Sequence, residues 1–342
     1  MAGNGGGFMT QRHRVLFYTL DGKTDKANDI LRSWGMGESI ELVGCAHPAM
    51  AAPTEEQLQG CEGFVGEFAP VLGDTVGAMA RAGIRVAASM SIGMNHMDVA
   101  GLQARGITVA NCPGYCAEDV ATHAVALMLD LMRKVTFTNR DVVTGAWDPK
   151  AGYQAYRTQG RTLGLVFFGR IARAVVPVAQ ALGMHVLVWA PTKTAAELAE
   201  VGCEKVERLD DLLAAADVVS LHCPLIPETR GLIGARELAL MKPTAYLVNT
   251  ARGELVDEKA LVAALNENVA SGGARGIRAA GLDVLAHERT PLRALIEHER
   301  CIVTPHCAYD SVEAAGALRR MSLEAVCDVL MRGKEPVNVV RA

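Results

Sequence analysis

Within residues 161–191, an apolar run, a glycine, an amphipathic stretch and a second apolar run follow one another without a break, and few folds accept that order. Residues 162–168 are uninterruptedly apolar and short enough to form a strand buried on both faces. Gly169 comes next. Ile171, Val175, Val178 and Leu182 then recur at the spacing of one helix face, and Gly183 stands where a left-handed C-terminal cap belongs. Residues 185–189 make a second strand. The segment therefore reads as a β-α-β unit.

Such a unit can carry a dinucleotide fingerprint, G-x-G-x-x-G/A. It needs small residues for the tight turn, for the approach of the pyrophosphate and for helix packing. The three positions are Phe167, Gly169 and Ala172, and the first does not comply, so Phe167 is expected to distort or crowd the turn. Gly169, Arg170 and Ile171 form the part that would face phosphate, at a helix N-terminus whose dipole favours negative charge. A P-loop has matching glycines at Gly164 and Gly169 but fails at Arg170 and Ile171. Pro177 inside the helix should cost about 3 kcal/mol unless the helix kinks. A crossover without any nucleotide has the same outline, so other features must decide.

At 342 residues the chain is longer than one hydrophobic core usually supports, which implies two domains. Half the residues are apolar and the net charge is −4, without basic clusters. Nucleic acid and anionic membrane are poor partners for such a chain, and a small molecule is the expected one. No apolar run approaches the ~20 residues of a membrane span, and the glycine-rich residues 1–10 lack the core of a signal peptide and read as a frayed tail. Nine scattered cysteines suggest free thiols in the cytoplasm. Cys112, Cys116, Cys301, Cys307 and His306 lack paired C-x-x-C spacing, so no metal centre is expected.

Elsewhere strand-like runs alternate with helical patterns, at residues 15–18, 41–45, 63–65, 85–88 and 108–110, and again at 218–221, 245–249, 279–283 and 302–303. The alternation predicts an α/β protein with two doubly wound parallel sheets. Residues 117–134 form a long helix at a domain boundary, with Val120, Ala124, Leu127, Met128 and Leu131 on one stripe and Arg133 and Lys134 suited to its C-terminal dipole. Residues 311–332 read as a last helix, with Asp310 and Glu313 spaced as a capping box and Gly333 beyond its end.

Six blocks then occur in order: S-I-G-M-N-H-M-D from Ser91, R-G-I-T-V-A-N after it, L-H-C-P-L-I-P-E-T-R from Leu221, V-N-T-A-R-G-E-L-V-D-E around Arg252, G-L-D-V-L-A-H-E ending at Glu288, and T-P-H-C-A around His306. With the β-α-β unit they resemble the D-isomer-specific 2-hydroxyacid dehydrogenases, a family that also contains C-terminal-binding corepressors. The resemblance implies a flavodoxin-like substrate domain from residues 1–112 and 309–342, a Rossmann nucleotide domain from 113–308, and an active-site cleft between them. It also implies a homodimer, with the helix at 117–134 at the seam.

By the same resemblance Arg252 anchors the substrate carboxylate and polarises its carbonyl, a task suited to a planar guanidinium. His306 is the general acid and base, and Glu288 holds its other ring nitrogen. The family's proline after this glutamate is Arg289 here. Ser91, Ile92 and Gly93 offer backbone N–H groups to the substrate carboxylate. Ser91 stands where the family often has glycine, which implies a tighter pocket mouth, while Asn95 and His96 also depart from the usual pattern. The cofactor set is Gly169, Arg170, Ile171, Ala190, Thr192, Lys193, Cys223, Pro224, Thr250, Ala251 and Asp283.

The carboxylate that normally accepts the ribose hydroxyls is missing, because Ala190 ends the second strand. Thr192, Lys193 and Thr194 could bind a 2′-phosphate, so NAD and NADP both stand as cofactors. The expected function is an NAD(P)-dependent oxidoreductase acting on a small D-2-hydroxy acid and its 2-oxoacid. The alternatives are a corepressor-like nucleotide sensor with little turnover, or an enzyme decayed at Phe167.

Overall fold

The computed structural model describes residues 12–47 and 51–342; the opening tail expected to fray lies outside them. The chain divides into two compact units, one running to Tyr115 and taking in Ser311–Ala342, the other Cys116–Asp310.

The first unit is built on five parallel strands: β1 (His13–Thr19), β2 (Ile40–Ala46), β3 (Gly63–Gly66), β4 (Val86–Ser89) and β5 (Thr108–Ala110). Their order is β2-β1-β3-β4-β5, the flavodoxin-like arrangement, and it reverses beside β1. β3 and β4 are buried along their whole length, so their residues are apolar or small on both faces. The helix Val312–Leu330 packs against β3 and β4. Its N-cap is Ser311, whose hydroxyl accepts from the Ala314 N–H at 2.9 Å. Ser311, not the expected Asp310, is thus the N-cap, and because the third helical residue is Ala314 no reciprocal capping-box bond forms.

The second unit carries seven parallel strands: β6 (Thr162–Val166), β7 (His185–Trp189), β8 (Glu204–Lys205), β9 (Val218–Leu221), β10 (Tyr246–Asn249), β11 (Ala279–Leu282) and β12 (Cys301–Val303). They lie in the order β12-β11-β10-β9-β6-β7-β8, so the order reverses between β6 and β9. A crevice opens at such a switch point, beyond the carboxyl ends of the strands. β8 is a two-residue edge strand, too short to leave a periodic signal.

The helix Ala117–Arg133 turns Ala121, Ala124, Val125, Leu127, Met128, Leu131 and Met132 into the core on one face of this sheet. A Cβ on Gly281 of β11 would lie 3.2 Å from the Leu127 Cβ, a measure of how closely helix and strand meet. Each fully buried aliphatic side chain contributes about 1.5–3 kcal/mol. The stripe therefore faces the core of its own unit. The helix ends at Lys134 in the left-handed region, with the ammonium donating to the Ala151 carbonyl at 2.6 Å.

The helix Arg170–Ala181 passes through Pro177 without a break. Pro177 and Arg173 both lie on its exposed face, so the carbonyl that proline leaves unpaired can be hydrated. Gly183 has φ +73°, the left-handed cap that its position implies.

Candidate active site

β6 delivers the chain to Phe167, which has φ +70°. The turn that glycine would make freely is kept, at the cost of placing an aromatic residue in the left-handed region, about 1–2 kcal/mol. The Phe167 ring packs edge-on to Trp189, 5.5 Å between centroids, and its N–H donates to the Trp189 carbonyl at 2.8 Å. The expected distortion is thus a strained but intact turn, and the ring is stored against the end of β7.

Beyond it, Gly169 caps the helix in an extended conformation and no side chain caps that N-terminus. A Cβ added at Gly169 would meet nothing within 4 Å, so open space lies before the first-turn N–H groups of Arg170 and Ile171. Ala172 is fully buried, as a helix packed on a sheet requires. Across the switch point, Cys223 is buried, with its thiol pushed up to about 12 by burial, so it is an apolar wall and not a nucleophile. The Pro224 carbonyl accepts from Thr229 at 2.7 Å. Thr250, after β10, is buried with a hydroxyl that has no hydrogen-bond partner among the described residues. A buried orphan hydroxyl at the carboxyl end of the same sheet that carries an open glycine turn is the condition an absent polar ligand would satisfy. A dinucleotide fits these residues.

Arg252 follows at once. The Asn249 amide donates to its carbonyl at 2.8 Å and accepts from the Ala251 N–H at 3.0 Å, fixing the main chain at the end of β10. Gly253 then presses on the next block: a Cβ there would sit 1.9 Å from the Leu285 carbonyl carbon and 2.2 Å from the Ala286 nitrogen. Only glycine permits that approach. The Ala286 N–H is in turn held by the Glu258 carboxylate at 2.7 Å. The segment carrying Arg252 and the segment leading to Glu288 are therefore packed backbone to backbone.

Glu288 Oε1 lies 2.8 Å from His306 Nδ1, and both side chains are exposed enough to exchange protons with water. His306 has φ +54°. Asp283 holds it there: the Asp283 carbonyl accepts the His306 N–H at 2.8 Å, and the carboxylate accepts from Cys307 N–H (3.0 Å), Ala308 N–H (2.9 Å) and the Thr304 hydroxyl (2.6 Å). Asp283 is thus engaged in the His306 loop itself. The couple borders a cavity of about 360 Å³ whose walls include Leu285, Ile296, Pro305 and Arg140. Sequence reasoning missed Arg140, Asn249, Gly253 and Glu258; for the last three the signal lay inside the quoted block around Arg252.

His123, Asp283 and Cys307 place ligand-type atoms within 4.8 Å of one another. The Thr304 hydroxyl joins two of them, lying 3.0 Å from His123 Nε2 and donating to Asp283, so hydrogen bonds already engage this group.

In the first unit Ser91 is buried and its hydroxyl donates to the Gly93 carbonyl at 2.7 Å, with the Ser89 hydroxyl at 2.9 Å. The Asn111 amide donates to the Ile92 carbonyl at 2.8 Å. The serine hydroxyl thus stiffens the loop from inside. His96 Nε2 lies 2.9 Å from the Ser89 hydroxyl, and burial lowers its pKa.

Residues 125–308 match the family described as D-isomer specific 2-hydroxyacid dehydrogenase, NAD binding domain. The chain belongs to that family. Its second unit is accordingly an NAD(P)-binding domain. Among its relatives, a hydroxypyruvate reductase of Blautia hydrogenotrophica is 36% identical over 265 residues, 75% of this chain and 78% of that one. A glyoxylate reductase of Korarchaeum cryptofilum is 39% identical over 264 residues, covering 75% and 76%. The solved TT0316 protein of Thermus thermophilus superposes with a TM-score of 0.81 at 34% identity, covering 96% of this dehydrogenase-family chain and all of its own. No helix among the described residues is long and apolar enough to cross a membrane.

Proposed function

We propose that this chain reduces small 2-oxoacids to D-2-hydroxy acids and oxidises them back, with His306 and Glu288 as the acid-base relay and Arg252 as the carboxylate and carbonyl anchor. The observation that carries the reading is the 2.8 Å contact between His306 Nδ1 and Glu288 Oε1, on a histidine fixed in a left-handed conformation. A carboxylate on Nδ1 leaves Nε2 to face a substrate oxygen and favours the imidazolium that donates to it. In oxidation the same nitrogen takes the hydroxyl proton. A guanidinium beside the substrate carbonyl draws electron density towards its oxygen and so makes the carbon a better hydride acceptor. The nicotinamide dinucleotide, when bound, supplies or accepts that hydride.

Gly169, Arg170 and Ile171 take the pyrophosphate in this reading, Ala190, Thr192 and Lys193 border the ribose, and Cys223, Pro224, Thr250, Ala251 and Asp283 line the rest of the nucleotide site. Ser91, Ile92 and Gly93 are assigned to the substrate carboxylate; no protein acceptor for their N–H groups is present among the described residues. The substrate domain then comprises 1–112 and 309–342, and the nucleotide domain 113–308.

The test is a panel of glyoxylate, pyruvate, hydroxypyruvate and bulkier 2-oxoacids, followed by cofactor absorbance. Turnover on at least one acid, lost on His306→Asn, is expected. Cofactor binding with no turnover on any acid would instead support a nucleotide sensor.

A homodimer in the cytoplasm completes the reading, with nine free thiols suiting a reducing setting. The surface offered for pairing is the exposed apolar set Val135, Val142, Val143 and Trp147. A monomeric mass in sedimentation at micromolar concentration would exclude the dimer.

A further inference from the structure

The loop after β7 has no carboxylate at the strand end and three residues that could take a phosphate, Thr192, Lys193 and Thr194, yet two of the three are already committed. Lys193 Nζ donates to Glu197 Oε1 at 3.1 Å. Thr194 gives its N–H to Glu197 Oε2 at 2.8 Å and its hydroxyl to the same oxygen at 3.0 Å. The Glu197 N–H returns the bond to Thr194 Oγ1 at 3.2 Å, which closes a capping box on the helix Ala195–Ala199. One carboxylate therefore holds the loop's cation and both threonine donors. These bonds keep Glu197 ionised, with its pKa lowered to about 2, first by the Thr194 N–H and then by Lys193. Ala190 is buried and offers only a methyl group.

We propose that Glu197 sets the cofactor preference towards NAD, standing in for the carboxylate missing at Ala190 by withholding Lys193 and Thr194 from a 2′-phosphate. The assignment rests on the reading of residues 162–189 as the nucleotide unit. A 2′-phosphate would have to displace three hydrogen bonds and bring close to two negative charges beside a third. The unphosphorylated ribose meets no such repulsion. The residue lies four positions beyond Lys193, past the point where strand-end rules look for an acid.

NADH and NADPH are titrated against the full-length protein by fluorescence, with Glu197→Gln and Glu197→Gln/Lys193→Ala in parallel. Glutamine keeps an acceptor for the Thr194 N–H, so the capping box survives, and the melting temperature checks it. The parent should bind NADH at least about tenfold more tightly than NADPH, a ratio set by one charge contact. Glu197→Gln should tighten NADPH by about tenfold and leave NADH within about twofold, and the double variant should lose the gain. A parent that prefers NADPH, or a Glu197→Gln variant with an unchanged NADPH-to-NADH ratio, overturns the proposal while leaving the nucleotide site standing. Failure of the parent to bind either nucleotide overturns the nucleotide site itself, and this inference with it.

Discussion

Asp283 grips the backbone of His306 and of the two residues after it: its carbonyl takes the His306 N–H at 2.8 Å, and its carboxylate takes the N–H groups of Cys307 and Ala308. A left-handed histidine persists only where its surroundings over-determine it. The carboxylate at the end of β11 supplies that determination.

Asp283→Asn turns one acceptor into a donor facing an N–H. The variant should lose about 1–3 kcal/mol of stability, the cost of a mismatched buried group, and its kcat should fall because the imidazole is no longer held in place. Urea melts and steady-state rates measure both; an unchanged kcat would remove Asp283 from the machinery.

His306→Asn should fold normally, since asparagine tolerates positive φ, and should lose about 10²–10⁴-fold in kcat. Glu288→Gln should lose less, because the ring keeps a hydrogen-bond partner. Equal losses in the two variants would argue that Glu288 does more than orient.

Gly253→Ala should cost about 3 kcal/mol, the upper end for overpacking, since its Cβ would overlap the Leu285 main chain at 1.9 Å. Arg252 and Glu288 would be disturbed together. Retention of wild-type melting and kcat would show that the two segments part without penalty.

Acid should destabilise the fold through two half-buried histidines. Burial holds His222 down to about 4, and His96 is lowered for the same reason. Below an unfolded value of about 6.5 the unfolded chain binds a proton that the folded chain refuses, so stability is full above that pH and falls towards pH 4. His222 alone should contribute on the order of 2 kcal/mol. His222→Gln should flatten the difference between urea melts at pH 7.5 and pH 5; identical pH dependence in the two proteins would contradict this.

Phe167→Gly removes the left-handed strain, about 1–2 kcal/mol, and restores the fingerprint. NADH should bind more tightly to the variant. Unchanged affinity would mean that Phe167 does not occupy the first glycine's place.

Much of the fold was legible because buried parallel strands are unbroken apolar runs: β5, β7 and β9 coincide with the runs at 108–110, 185–189 and 218–221. Boundaries slipped where local chemistry outranked hydropathy. β6 stops at Val166 because Phe167 is already in the turn, and Ser311 caps the last helix in place of Asp310. The helix Ala117–Arg133 shows a clear apolar stripe, but a stripe states only that something covers it, and its own sheet does. The contact between Glu288 and His306 followed from the resemblance alone, since no periodicity links residues 18 apart. Glu197 was readable as the fourth residue of a T-x-x-E capping box, though not as the partner of Lys193, and the grip of Asp283 stayed invisible because its direction is set by a backbone turn that no pattern of residue types encodes.

Trp189 is the surface on which the Phe167 ring rests, edge to face. Indole emission responds to the ring beside it, so the chain carries an optical reporter of its own phosphate turn. Any event that lifts the phenyl group from that seat should be readable as a change in colour or intensity without a label.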